Sequence, residues 1–356
     1  MAEVRFEDLT VRFGDVAALD GFSAVAADRV FTVVTGPPTA GKSVLLRALV
    51  GLETSQAGKV IIDGRDVTNL PPAQRPIGYV PQSFALYPHF SVRENIAYPL
   101  RLARAPSAQI AEAVDRVAAM LSINELLDKT PDQLSGGEKQ RVAVARGLAK
   151  DVRVFVLDDP LVGLDYKLRE RLMGDLKHLR AELDATFIYA TSDPLEALTM
   201  AQDLVVIEGG RLVQQGPVEA VYAAPAVEAA LRLVGFPRSN VARGEWIGET
   251  VTAGPLRFHA IGRGDGPVIV GFRPEALRPG NAGPVTLEGA VSLVEDLGGE
   301  TVIYLDCAGL PLTMVRPPDA DGLPPRMGDR LTLSASPETL MVFDAIDGRL
   351  LARGAA

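Results

Sequence analysis

Hydrophobic and polar positions change rhythm along this chain. The first fifteen residues, MAEVRFEDLTVRFGD, alternate charge and apolarity. Short, apolar, β-branched runs then take over: FTVVTG (31–36), VFVLD (154–158), TFIYAT (186–191) and LVVIEGG (204–210). Runs of that length and composition predict buried strands. Between them KSVLLRALVGL (42–52) and YKLRERLMGDLKHLRAEL (166–183) space their apolar residues as helices do. Strand and helix in alternation predict an α/β fold with a largely parallel sheet over residues 1–235. After GFPRSN (235–240) glycine and proline become frequent, and the chain turns to alternating stretches such as VIVGFRP, GAVSLVEDLGG, TVIYLD and RLTLSAS. Those predict a second, small all-β domain, barrel or sandwich, over residues 236–356.

A length of 356 residues leaves room for two such domains. The 47% hydrophobic and 23% charged content is ordinary for a globular protein. With 36 basic against 45 acidic residues the net charge is −9, and no Lys/Arg block stands out, which argues against nucleic acid as a partner. Cys307 is the only cysteine, so no intramolecular disulfide can form, in keeping with a reducing compartment. The N-terminal stretch shows no signal-peptide core, and no apolar stretch approaches the ~18 residues of a membrane span. Membrane association is therefore expected only through a partner protein.

GPPTAGKS (36–43) fits the pattern of a glycine, four residues, then Gly-Lys-Ser/Thr, and it sits between a predicted strand and a predicted helix. Backbone N–H groups of this loop, from Gly36 through Thr39, Ala40 and Gly41 to Val44, are expected to meet phosphate oxygens. Lys42 would bring a point charge to the β and γ phosphates, and Ser43 an oxygen to Mg²⁺. VFVLDD ends a strand in two aspartates, and Asp158 would complete the Mg²⁺ shell. ATP and Mg²⁺ are thus the cofactors expected. Without such a loop, a strand-end acid pair reads equally as a cap or as solvated acids.

LSGGEKQRVAVARGLA (134–149) resembles the signature segment of ATP-binding-cassette (ABC) ATPases, with the acidic strand following it as in that family. YVPQSFALYPHFSVRENIAYPL (79–100) is similar to the family's glutamine loop, with Gln82 in the key position. The stretch from SVRENI to the signature resembles the helical subdomain, here about residues 88–150. GFRPEAL and VSLVEDLGGETVIYL look like the OB-like, TOBE-type regulatory barrel of carbohydrate-importer ATPases of the maltose-importer type. The fold so implied is a P-loop ABC nucleotide-binding domain followed by that barrel. By the same resemblance Phe13 stacks on adenine; the lesser alternative is a core Phe ending a first strand. Gln82 is implied to sense the metal and the attacking water and to carry motion towards a membrane partner. Ser135, Gly136, Gly137 and Glu138 are implied to face the γ-phosphate bound to the opposite subunit. Locally, Ser135 reads as an N-cap with Glu138 in a capping box, and the glycines allow close backbone approach.

Three positions depart from the family's pattern. Asp159 stands where the family carries Glu as general base or water-positioning group. It is one methylene shorter, and a misplacement of roughly 1 Å can lower a rate on the order of 10²-fold. Ser192 stands where the family carries a switch His, and none of His89, His178 and His259 fills that position. Serine cannot carry charge or shuttle a proton as imidazole does. In the phosphate loop Pro38 lacks an N–H, and Thr39 disfavours left-handed backbone angles. Each change reads as a tolerated variant, or together they read as a damaged catalytic set, Gln82 with Asp159 and Ser192, beside an intact signature. The second reading favours a heterodimer in which this signature completes a partner ATPase's competent site.

The function implied is an ATP-binding subunit that energises a carbohydrate-type importer from the cytoplasmic face of the inner membrane. Its partners would be a second ABC ATPase subunit, two transmembrane permease subunits and, indirectly, an extracytoplasmic solute-binding protein. The alternatives are a fully active ATPase working as a symmetric homodimer, an importer of a non-sugar solute, and an ABC protein outside transport. SVRENIAYPL and the FRPE stretch argue against the last.

Overall fold

The computed structural model describes residues 2–317 and 324–355, and the chain divides into two compact units, Met1–Val218 and Glu219–Ala356. The first unit opens with a hairpin of β1 (Val4–Phe13) and β2 (Val16–Ala26). β3 (Phe31–Thr35) leads through a loop into α1 (Lys42–Val50). β4 (Ala57–Ile62) and β5 (Arg65–Asp66) return beside β1, giving an antiparallel sheet in the order β2-β1-β4-β5. β6 (Ile77–Val80) is followed by α2 (Val92–Leu102), α3 (Ser107–Met120) and α4 (Gly136–Leu148), which pack on one another. Then come β7 (Val154–Asp158), α5 (Tyr166–Glu182), β8 (Thr186–Thr191), α6 (Pro194–Met200), β9 (Asp203–Glu208) and β10 (Arg211–Pro217).

The main sheet runs β10-β9-β3-β8-β7-β6 and is parallel except at β10. Its four central strands are the four apolar runs of the sequence. β3, β7 and β8 are buried at every position, which is why they read as continuous runs and not as alternation. Register matters for the site: Thr35 pairs with Thr191, and Asp158 with Ala190. The chain therefore leaves β3, β7 and β8 side by side at one edge, where open α/β sheets bind ligands.

The second unit takes in α7 (Val218–Ala223), whose first residue closes the first unit, and α8 (Glu228–Leu233). The division falls earlier than residue 235 because α8 packs Leu231 onto Met341 and Phe343. The strands that follow are β11 (Asn240–Ala253), β12 (Leu256–Phe272), β13 (Arg278–Pro279), β14 (Val285–Asp296), β15 (Thr301–Cys307), β16 (Leu310–Arg316), β17 (Arg330–Ala335), β18 (Met341–Asp344) and β19 (Leu350–Arg353). They pair as two antiparallel sheets, β11-β12-β18-β19 and β13-β17-β14-β15-β16, around one core that includes Trp246, Phe258, Leu287, Ile303 and Leu333. Arg273, in the FRPE stretch, donates to the carbonyls of Tyr222 (2.8 Å), Leu231 (2.9 Å) and Val234, and its guanidinium lies 4.0 Å from the Tyr222 ring centre. It ties both short helices to the strands. Among the described residues no helix is long and apolar enough to cross a membrane.

Candidate functional site

The loop from β3 to α1 depends on close backbone approach. A Cβ at Gly36 would lie 2.0 Å from the Ile207 carbonyl oxygen, and one at Gly41, where φ is 105°, would lie 2.4 Å from that of Ala18. Only glycine fits at either position. Thr39 adopts the left-handed angle that its side chain disfavours, with φ 68°. The penalty for a non-glycine residue there is roughly 1–2 kcal/mol, so the loop keeps its turn under strain. Ala40 donates its N–H to the Pro37 carbonyl (3.2 Å) and accepts from the Gly210 N–H (3.0 Å). α1 begins at Gly41 with no side-chain cap and no acid in its first turn. Its first N–H groups are available to an anion. Lys42 is 7% exposed, and its ammonium donates to the carbonyls of Gly36 (2.8 Å) and Pro37 (2.9 Å). Burial pulls its pKa down, while Asp159 and Asp158 push it back up.

Asp158 ends β7 and is buried; its Oδ1 accepts from the Ser43 hydroxyl at 2.9 Å, and its Oδ2 lies 3.5 Å from the Tyr79 hydroxyl. Burial pushes its pKa up, against the bonds from Ser43 and Tyr79 and the charge of Lys42. Asp159 sits in the left-handed region, φ 49°, and donates its N–H to the Ala190 carbonyl at 2.9 Å. Burial raises its pKa as well; Lys42 opposes this and Asp158 adds to it.

Ser192 is fixed from both sides. The Thr191 hydroxyl donates to Glu196 (2.7 Å) and accepts from the Asp193 N–H (3.0 Å). Asp193 caps α6 by accepting from the Leu195 N–H (2.8 Å) and pairs with Arg169 (2.8 Å). Glu196 is buried, accepts from the Tyr189 hydroxyl (2.9 Å) and lies 3.6 Å from Arg169. The Arg169–Glu196 network was missed from the sequence. The only signal is the acid three residues after Asp193, where a helix start would place a cap partner.

Loop residues 38–39 and 41–44 line one open cleft of about 500 Å³ together with Gln82, Asp159, Val162 and Ser192. Gly36, Ala40 and Asp158 are not in the lining; Asp158 reaches it through Ser43. Phe13 is 50% exposed beside the β1–β2 turn, so it is not a core residue, and it too is outside the lining. Ser135 caps α4 as expected: its hydroxyl accepts from the Glu138 N–H (3.4 Å), and the Glu138 carboxylate accepts from the Ser135 N–H (2.8 Å). The bond from the Ser135 N–H, with a second that the Ser135 hydroxyl donates to the same carboxylate (2.8 Å), holds Glu138 below the usual carboxylate range. Gly136 is exposed with open space at its Cβ position, whereas a Cβ at Gly137 would meet Leu168 Cδ2 at 1.7 Å. None of Ser135, Gly136, Gly137 and Glu138 lines this cleft.

The arrangement fits a nucleoside triphosphate. An uncapped helix start and a buried ammonium face carboxylates across a space wide enough for phosphates. Among the described residues no three His, Cys, Asp or Glu gather as a metal cluster. Ser43 and Asp158 would give a cation two oxygens, leaving the rest of its shell to other oxygen donors such as Gln82, water and phosphate, a donor set that suits Mg²⁺.

Comparison with known proteins agrees with this chemistry. The ABC transporter family model matches residues 22–162, and the TOBE domain model matches residues 270–343. The sn-glycerol-3-phosphate import ATP-binding protein UgpC of Cereibacter sphaeroides is 38% identical over 352 residues, covering 99% of this chain and 100% of that protein. The maltose/maltodextrin import ATP-binding protein MalK of Salmonella typhi is 37% identical, with 88% of each chain covered. Among solved structures, a dimeric, post-hydrolysis ATP-binding cassette bound to ADP and Pi matches with a TM-score of 0.55 at 26% identity, over 60% of this chain and 98% of that one.

Proposed function

This chain belongs to the ABC transporter ATP-binding proteins, and from that premise we propose that it is the subunit whose ATP binding and hydrolysis energise an importer of a carbohydrate-type solute. The observation that carries the reading is the convergence of the phosphate loop, Gln82, Asp159 and Ser192 on one cleft, with Asp158 bonded to Ser43 beneath it. Lys42 and the start of α1 hold the phosphates. Ser43, Asp158 and Gln82 would hold Mg²⁺, which would supply positive charge against the transferring phosphoryl group. Asp159 would accept a hydrogen bond from the attacking water. Gln82 and Ser192 orient that water, and Phe13 stacks on the adenine. The solute class follows the relatives, which are named for glycerol phosphate and maltodextrin. Permease subunits and a solute-binding protein are its partners, and the chain sits peripherally on the cytoplasmic face of the membrane.

Two copies of this chain form the working dimer. Support comes from a matching cassette solved as a dimer. The comparisons do not support the separate second ATPase expected from the sequence. That heterodimer stands as a second reading on one observation: both altered residues, Asp159 and Ser192, line the same cleft. In either pairing Ser135, Gly136, Gly137 and Glu138 act across the interface, a role carried by the family resemblance of the signature segment and compatible with their lying outside the chain's own cleft.

Light scattering on the purified Asp159→Asn chain, in which hydrolysis is blocked, separates the two. The symmetric reading predicts a species of twice the single-chain mass when MgATP is added. A chain that stays monomeric at saturating MgATP, yet forms a complex with a different cassette protein from the same cells, contradicts it.

A further inference from the structure

Arg146 lies in the last turn of α4, the helix whose first turn carries Gly136 and Gly137. Its guanidinium reaches away from that helix. One Nη donates to the Ala85 carbonyl at 2.6 Å, the other to the Phe84 carbonyl at 3.1 Å, and Cζ lies 5.8 Å from the centre of the Tyr87 ring. All three belong to the irregular stretch 81–91 that carries Gln82 into the cleft. A loop without a ladder must find other partners for its carbonyls, and Ala85 is held at a left-handed φ of 45°. The far end of the same stretch is anchored differently. Asn95 of α2, 0% exposed, accepts from the Tyr87 N–H (2.8 Å) and donates to the carbonyls of Tyr87 (3.2 Å) and Phe90 (3.1 Å). Among the described residues, the side-chain hydrogen bonds to the loop backbone between Gln82 and Tyr87 come from Arg146.

We propose that Arg146 is the positioning residue for Gln82, clamping the glutamine's loop to the signature helix so that the two move as one body. The proposal rests on the ATPase reading above. In a dimer of that kind the helix start meets one nucleotide and Gln82 meets the other, so the clamp joins the two sites through a single helix. Arginine suits this role because its planar fork serves two successive carbonyls while its face lies on an aromatic ring; lysine offers one point charge.

The test is hydrogen exchange on the full-length chain, with and without MgATP, for the wild type, Arg146→Met and Arg146→Lys. In the wild type MgATP slows amide exchange across both residues 36–44 and residues 82–90, by about tenfold in the second segment. Arg146→Met keeps the slowing at 36–44, because Lys42 and Ser43 are untouched, and loses it at 82–90. Arg146→Lys recovers part of it, which serves as the second readout should the methionine variant fold poorly. A general loss of stability would raise exchange throughout α4, so loss confined to 82–90 marks positioning. Arg146→Met or Arg146→Lys protecting 82–90 as fully as the wild type overturns the clamp. A wild type with no protection at 36–44 overturns the nucleotide reading and the clamp with it.

Discussion

At the residue scale, Asp159 and Ser192 line the cleft in which the proposed reaction would take place. Asp159 has its backbone fixed by the bond to Ala190 and its angle fixed at φ 49°, so a short side chain cannot gain reach by a backbone shift. Aspartate is among the residues that tolerate the left-handed region, which suits the shorter acid to this turn. Asp159→Glu combined with Ser192→His should raise ATP turnover by ~10-fold or more, since general-base and water-orienting groups typically contribute 10²–10⁴-fold. Steady-state phosphate release from the purified chain measures it, and unchanged turnover would move the limitation to the strained phosphate loop. The identities of these two residues were legible from the sequence, because each stands at a fixed place in a motif. Their support was not: Arg169, Glu196, Tyr189 and Thr191 are scattered along the chain and meet only when α5, α6 and β8 are packed.

At the element scale, α4 carries two adjacent glycines with different constraints. Gly136 has open space where a Cβ would go, and Gly137 has Leu168 there. Gly136→Ala should leave the fold intact and stabilise it by up to about 1 kcal/mol through helix propensity. Under the proposed dimer, its cost should appear only as lost turnover, because the added methyl would stand between the helix start and a partner's nucleotide. Gly137→Ala should destabilise the isolated chain by about 1–3 kcal/mol through overpacking. Paired thermal melts and turnover assays separate the two effects, and equal stability losses in both variants would contradict this assignment. The capping box at Ser135 and the buried strands were legible because their patterns are local. The tie from Arg146 to the Gln82 loop was not, since it links positions about sixty residues apart.

At the scale of the whole molecule, the change from apolar runs to alternating stretches located a second, all-β unit. It put the division late because two short helices resemble the first unit in pattern while their apolar residues pack in the second. The alternation also left barrel or sandwich open, as the pairing of strands into two sheets depends on contacts across the core. The first unit is more constrained: three loops leave one sheet edge together, and they bring the phosphate loop, Asp159 and Ser192 to a single cleft, with Asp158 behind Ser43. That this cleft holds MgATP is the claim on which the rest depends. Calorimetric titration of ATP into the full-length chain, with and without Mg²⁺, tests it most directly when the wild type is set beside Lys42→Ala. The wild type should saturate at one ATP per chain and bind more tightly with Mg²⁺. Lys42→Ala should lose about 3 kcal/mol, ~100-fold in affinity, from a buried, charge-assisted contact. Equal affinity in the two proteins, or binding that Mg²⁺ does not strengthen, would contradict it.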